Sequence, residues 1–103
     1  YKEALKRQKD HPIALNNLAW RLLKQGRELP LALEYAQQAK RVLPRTPEVD
    51  GTLAEAYSRL SMHRNATAVY EEMLAYIDPA NRPRIQKLLE SARRLSSAKG
   101  KNS

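Results

Sequence analysis

The sequence predicts an all-α fold in which helical hairpins stack side by side. The first observation is a repeat: apolar and small residues of one stretch recur about 35 positions later in the chain. A period of roughly 20 to 50 residues is typical of stacked supersecondary units. The second observation is that the apolar residues of every segment recur at helical spacing, without the alternation typical of a strand. A helix pair of this size cannot cover its own apolar face, so neighbouring pairs must pack together.

The first half of the chain predicts a half repeat followed by a complete hairpin. Residues 1–9 favour a helix, because Tyr1, Ala4 and Leu5 lie on one face. Pro12 suits the first position of the next helix, which we expect to run to Gln25 and to end at Gly26. A helix over 30–43 completes the hairpin.

The second hairpin follows a break at residues 44–47. Thr46 is the expected N-cap, with a side chain that accepts a backbone hydrogen bond, and Pro47 supplies the fixed φ of the first helical position. We expect helices over 47–60 and 64–77, joined by a turn at residues 61–63.

The last predicted element is a capping helix. Pro83 would lie too deep in a helix that began at Pro79, so we expect the start near Asn81 or Arg82 and the end near Ser97. Its apolar positions, all expected to face inward, are Ile85, Leu88, Leu89, Ala92 and Leu95. Residues 99–103 are expected to form a flexible polar tail.

Charge is distributed unevenly along the chain. The formal net charge is +8, but residues 13–81 carry eight basic and eight acidic side chains, whereas residues 82–103 carry seven and one. A nucleic-acid-binding domain needs a basic face along its body. We therefore expect neither nucleic acid nor a membrane as the main partner, and we interpret the basic end as a solvated face of the capping helix.

No pattern in the sequence predicts catalysis, a cofactor or a metal site. The chain has no Cys, and its two histidines, His11 and His63, are far apart and near turns. Neither belongs to a spacing that binds metal on a helix. The three glycines are too scattered to form a phosphate-binding loop. We predict that the chain is not an enzyme.

The repeated positions resemble those of the tetratricopeptide repeat (TPR) family. In the first copy the matching residues are Leu18, Ala19, Leu22, Gln25, Gly26, Ala32, Tyr35, Ala36, Ala39 and Pro44. In the second they are Leu53, Ala54, Tyr57, Ala66, Tyr70, Met73, Leu74 and Pro79. The chain departs from the family pattern by one extra residue in the loop of residues 27–31, by Ser61 in place of Gly, and by Met73 in place of Ala, which should push neighbouring helices slightly apart.

The resemblance implies a TPR-like right-handed α-solenoid of about five to six helices with a C-terminal capping helix. It divides residues 1–98 into a half repeat (1–11), two repeats (12–46 and 47–79) and the cap (80–98). The sequences of the repeats are most similar to those of bacterial members of the family. Because position 1 is Tyr and the first repeat is incomplete, we expect a longer parent chain.

In this family the first helix of each repeat lines a concave groove. By that analogy the groove residues of the first repeat are Ile13, Asn16, Asn17, Trp20, Leu23 and Lys24, and those of the second are Glu48, Gly51, Thr52, Glu55, Ser58 and Arg59. Of these, the partner-binding residues that we predict are Ile13, Asn16, Asn17, Trp20, Lys24, Thr52, Glu55 and Arg59.

Five of the groove positions have an alternative explanation. Asn17 can pair with the backbone of a bound peptide or be an ordinary exposed amide. Trp20 can anchor a partner or pack against other helices of the stack. Gly51, inside a predicted helix, either allows a close helix contact or leaves room in the groove, and we favour close packing. Glu55 and Arg59 are spaced as a solvated i, i+4 ion pair.

The expected function is a protein–protein interaction module, a scaffold or adaptor that holds a peptide or partner helix in the groove. The alternative is self-association through the uncapped N-terminal end, giving a homo-oligomer, or attachment to a membrane or nucleic acid through the basic C-terminal helix.

Overall fold

The computed structural model describes the backbone of residues 12–101 and the side chains of residues 12–96. This part of the chain is all-helical, without strands, and contains five α-helices and one short 3-10 helix. The α-helices are α1 (Pro12–Gln25), α2 (Leu29–Val42), α3 (Pro47–Arg59), α4 (His63–Leu74) and α5 (Arg82–Lys101), and the 3-10 helix Pro79–Asn81 precedes α5. The predicted half repeat at residues 1–11 lies outside the described residues.

Helices α1 and α3 end in the same motif. Gly26 has a φ of 66°, and the N–H of Arg27 donates to the carbonyl of Leu22 at 3.1 Å. In the second repeat Ser61 has a φ of 62°, and the N–H of Met62 donates to the carbonyl of Tyr57 at 2.8 Å. These are the bonds of a Schellman cap, which needs a left-handed residue just past the helix. Ser61 therefore occupies a conformation that Gly adopts more easily.

The predicted side-chain cap at Thr46 is wrong in its chemistry. Thr46 is the N-cap of α3 and has an extended backbone, but its side chain makes no capping hydrogen bond. Its main-chain carbonyl instead accepts from the N–H of Asp50 at 2.9 Å, which is the first bond of the helix. The start of α3 at Pro47 agrees with the prediction.

Packing follows the order of the chain. Each α-helix packs against the next one, and α1 also packs against α3. Three alanines, Ala19, Ala36 and Ala54, are completely buried between the helices. Because their side chains are small, the helices can pack closely at these positions. The core continues through Leu15, Leu53 and Met73 into Ile85 of α5.

The last helix differs from the prediction in two respects. It extends to Lys101, beyond the expected end near Ser97 and into the expected tail. Leu88 and Leu95, both expected to face inward, are 41% and 52% exposed. Ile85 and Ala92 are buried as predicted. Since α5 packs mainly against α4, only the centre of its apolar stripe is covered, and the edge with Leu88 and Leu95 stays open.

A gap separates α3 from α5. The two helices are not a closely packed pair in the described part of the chain, whereas α1 and α3 are. The buried Met73 of α4, at the repeat position of the smaller Ala39, lines the space between these helices. Residues of α3 and α5 on either side of the gap line one cavity.

Candidate functional site

A cavity of ≈ 400 Å³ is formed by α1, α3, α4 and α5. Its lining residues are Asn16, Asn17, Trp20, Pro47, Glu48, Gly51, Thr52, Glu55, Tyr70, Met73, Arg84, Ile85 and Leu88. Tyr70, Met73 and Ile85 are buried and form an apolar base, while Trp20 and Leu88 are 46% and 41% exposed. The cavity thus combines an apolar base with a few polar groups, as ligand sites commonly do.

Most of the predicted partner-binding residues line this cavity. They are Asn16, Asn17, Trp20, Thr52 and Glu55. Three others do not belong to the lining: Ile13 and Lys24 are exposed on α1, and Arg59 is exposed near the end of α3. Leu23, a groove position by the family analogy, is instead buried in the core.

Asn16 is the polar group of the cavity with an unmet bonding capacity. Its side chain is 7% exposed, and its Oδ1 has no hydrogen-bond partner among the residues that the structure describes. A buried acceptor without a donor costs about 1–3 kcal/mol. A ligand that brings an N–H or O–H group to Asn16 would remove this cost.

The polar groups contributed by α3 are partly engaged already. The hydroxyl of Thr52 donates to the carbonyl of Glu48 at 2.9 Å, within the helix. Glu55 accepts from Arg59 Nε at 2.9 Å, which confirms the predicted i, i+4 pair. Arg59 therefore acts on the cavity only through Glu55, whose charge it partly neutralises.

Gly51 leaves room in the cavity, and the close-packing interpretation favoured from the sequence is wrong. A Cβ atom built at Gly51 meets no atom within 4 Å outside its own chain neighbourhood. No neighbouring helix therefore requires a glycine at this position. Gly51 lines the cavity, where any larger side chain would take up space.

The contribution of α4 and α5 to the cavity was not predicted from the sequence. Tyr70 and Met73 were named only as positions of the repeat pattern, and Arg84 and Leu88 were assigned to the capping helix. Burial raises the pKa of the Tyr70 hydroxyl, a hydrogen bond with Ser58 opposes this, and the Glu55 carboxylate raises it further. The repeat could have indicated that α5 is a further copy of α1 and α3, because Leu88 lies 35 positions after Leu53 and Leu53 lies 35 positions after Leu18.

A buried polar cluster, outside the cavity lining, contacts α3 through Asp50. Asp50 is fully buried, its Oδ2 accepts from the Tyr76 hydroxyl at 2.5 Å, and its Oδ1 lies 2.8 Å from Lys40 Nζ. We treat the contact with Lys40 as an ion pair, because Oδ1 has no well-directed donor among the described residues. Lys40 also contacts Glu72 Oε1 at 2.5 Å and donates to the carbonyl of Pro44 at 2.7 Å. The cluster joins α2, α3, α4 and the segment after α4 through the Lys40 ammonium group and the Asp50 and Glu72 carboxylates.

The cluster has clear electrostatic consequences. Burial opposes the charge of Lys40, but contacts with the Asp50 and Glu72 carboxylates outweigh burial and raise its pKa. Burial, together with Asp50, raises the pKa of the Tyr76 hydroxyl well above its ordinary value. Both groups therefore keep their protons in the folded chain at neutral pH.

Other kinds of site find no support in the described part of the chain. No group of three or more His, Cys, Asp or Glu side chains there is arranged to hold a metal ion. None of the described helices combines the length and the apolar character that crossing a bilayer requires. Comparison with known proteins gave no match to any family model, curated protein or solved structure.

Proposed function

We propose that this chain is a protein–protein interaction module that holds a peptide or a partner helix in the cavity between α1, α3 and α5. The observation that carries the proposal is the cavity of ≈ 400 Å³, which is lined by Asn17, Trp20 and other residues that the sequence predicts to form a groove. No catalytic or cofactor chemistry is part of the proposal.

We also propose that the five helices form a TPR-like right-handed stack. Sequential packing and the contact between α1 and α3 support this arrangement. The register supports it further, because Leu15, Asp50 and Ile85 are 35 positions apart and all three are buried. In such a stack α1, α3 and α5 occupy equivalent places, and their shared face is the surface available to a partner.

The lining defines how a partner would be held. Trp20 and Leu88, both half exposed, offer apolar contact to a large side chain, and aromatic residues are frequent anchors at interfaces. The exposed Asn17 can donate and accept at once, which suits the backbone of a bound segment. The buried Oδ1 of Asn16 favours a partner that supplies a donor.

Peptides selected from a random displayed library against the full chain provide the test. The variants Asn17→Ala and Trp20→Ala should lower affinity for a selected peptide while leaving far-UV circular dichroism unchanged. Gly51→Leu should block binding by filling the cavity, whereas Gly51→Ala, with one methyl group, should have a smaller effect. Arg45→Ala, at an exposed position outside the cavity, is the control. If the selected peptides bind all of these variants equally well, the cavity is not the binding site.

The basic α5 suggests the second candidate, attachment to a membrane or nucleic acid. Arg84, Lys87 and Arg94 are exposed on this helix. Salt distinguishes the candidates, because binding through phosphate contacts weakens steeply as ionic strength rises, whereas apolar groove contacts change less. Self-association through the N-terminal end depends on residues 1–11, which lie outside the described residues.

A further inference from the structure

We propose that the partner is an acidic amphipathic helix, which lies along the exposed edge of α5 and reaches into the cavity at Leu88. This inference rests on the proposed function and names the chemistry of its partner. It depends on how α5 divides its basic and apolar side chains.

The basic side chains of α5 fall into two groups. Arg93 Nη2 pairs with Glu71 Oε2 at 2.9 Å, and Arg82 Nη1 donates to the carbonyl of Leu74 at 3.1 Å, so both are engaged with α4. Arg84, Lys87 and Arg94 are exposed, and within the described residues none of them has an ion-pair partner. Spacings of three and seven residues place these three on one side of the helix.

Leu88 and Leu95 form an apolar row beside this basic row. They are 41% and 52% exposed and seven residues apart, which corresponds to about 10 Å along the helix. Another helix lying nearly parallel to α5 repeats its own side chains at the same interval, so it can meet both leucines at once. An extended peptide, whose side chains alternate in direction, matches this interval less well.

Charge decides the character of the partner. Lys87 and Arg94 flank the two leucines at the same seven-residue interval, so carboxylates bordering the apolar face of a partner helix would meet them. Arg84 lines the cavity and extends the basic row to it. On the opposite wall, Glu48 and the unpartnered Asn16 Oδ1 favour donors, so the acidic side of the partner should face α5. A flat bilayer could touch the leucines but could not enter the cavity beside Leu88.

The test uses two designed 18-residue amphipathic peptides with the same row of leucines, one with Glu and the other with Lys at the flanking positions. Fluorescence anisotropy with the full chain should show at least tenfold tighter binding of the Glu peptide. The variant Arg84→Glu/Arg94→Glu should lose or reverse this preference. Arg41→Glu/Arg45→Glu, which changes the net charge equally at exposed positions outside the cavity, should keep it.

Several results would overturn the inference. Equal loss of preference in both double variants would mean that only net charge matters, and failure of the Glu peptide to bind at all would also reject it. Tighter binding to phosphatidylserine vesicles or to a 20-base-pair DNA duplex would assign the basic row to a membrane or to nucleic acid. If the Glu peptide binds Gly51→Leu normally but not the α5 variant, the surface on α5 stands and the proposed cavity fails. The converse result would retain the cavity and reject the α5 surface.

Discussion

Asp50 should be energetically coupled to Tyr76. Its carboxylate is completely buried in a register where the neighbouring helices have Leu15 and Ile85. The Tyr76 hydroxyl donates to it at 2.5 Å. A hydrogen bond to a charged group contributes about 1.5–3 kcal/mol. The single variant Asp50→Leu leaves that hydroxyl without its acceptor, and Tyr76→Phe leaves the carboxylate without its donor.

The expected cost of removing the carboxylate is about 3 kcal/mol. Breaking a buried ion pair by removing one partner typically costs about 3–5 kcal/mol. The lower end applies here, because the Lys40 side chain is 20% exposed and keeps its contacts with Glu72 and Pro44. Such a loss is a large fraction of the roughly 5–15 kcal/mol that stabilises a typical domain.

Urea unfolding followed by circular dichroism would measure this coupling in a double-mutant cycle. We expect Asp50→Leu and Tyr76→Phe to be each destabilising. We expect the double variant to be more stable than the sum of the two losses implies, by about 1.5–3 kcal/mol. Additivity of the two changes within about 0.5 kcal/mol would refute the reasoning, since independent sites behave in that way.

Three further predictions concern stability. Gly26→Ala should destabilise the fold by about 1–2 kcal/mol because its φ is 66°, whereas Gly51→Ala should stabilise it by about 0.5–1 kcal/mol, and chemical denaturation compares the two. Leu53→Ala should cost about 2–5 kcal/mol in the same assay, since it empties a buried site, and a cost below about 1 kcal/mol would contradict its place in the core. Stability should fall as pH rises above about 10, because the folded-state pKa values of Lys40 and Tyr76 are raised and the unfolded chain releases those protons first. The variant Tyr76→Phe should flatten that decline in unfolding measurements at pH 8 to 11, and an unchanged slope would argue against the cluster.

The sequence predicted the starts of α1 and α3 and the end of α1 well because residues with a backbone preference lie there, whereas α4, which has no such residue at its end, stops at Leu74 and not at the expected residue 77. Pro12 and Pro47 occupy first helical positions, and Gly26 adopts the left-handed conformation that ends α1. These signals are local in the sequence, so they do not depend on which helices pack together. Among the apolar positions of the repeat pattern, Ala19, Ala36, Leu53 and Met73 are buried, whereas the buried polar residues Asn16, Asp50 and Thr52 do not belong to that pattern.

Tertiary features were harder to predict from the sequence. Spacing placed Leu88 and Leu95 on the apolar face of α5, but it could not show that only α4 covers that face. The sequence does not show that Asp50 is buried and paired, because its partners Lys40 and Tyr76 come from other segments of the chain. In the same way, the sequence alone favoured a close helix contact at Gly51, and only the structure shows that the space around it is open.

The most direct test of the stacked arrangement measures whether Trp20 and Leu88 share one cavity. The chain has one Trp and no Cys, so a nitroxide attached to Leu88→Cys can quench Trp20 fluorescence without interference from other sites. The control is Leu95→Cys, which lies on the same helix about 10 Å farther along and outside the cavity lining. A stacked arrangement of α1, α3 and α5 predicts much stronger quenching from position 88 than from position 95. Equal quenching from the two positions, or none from position 88, would contradict the arrangement and the groove that depends on it.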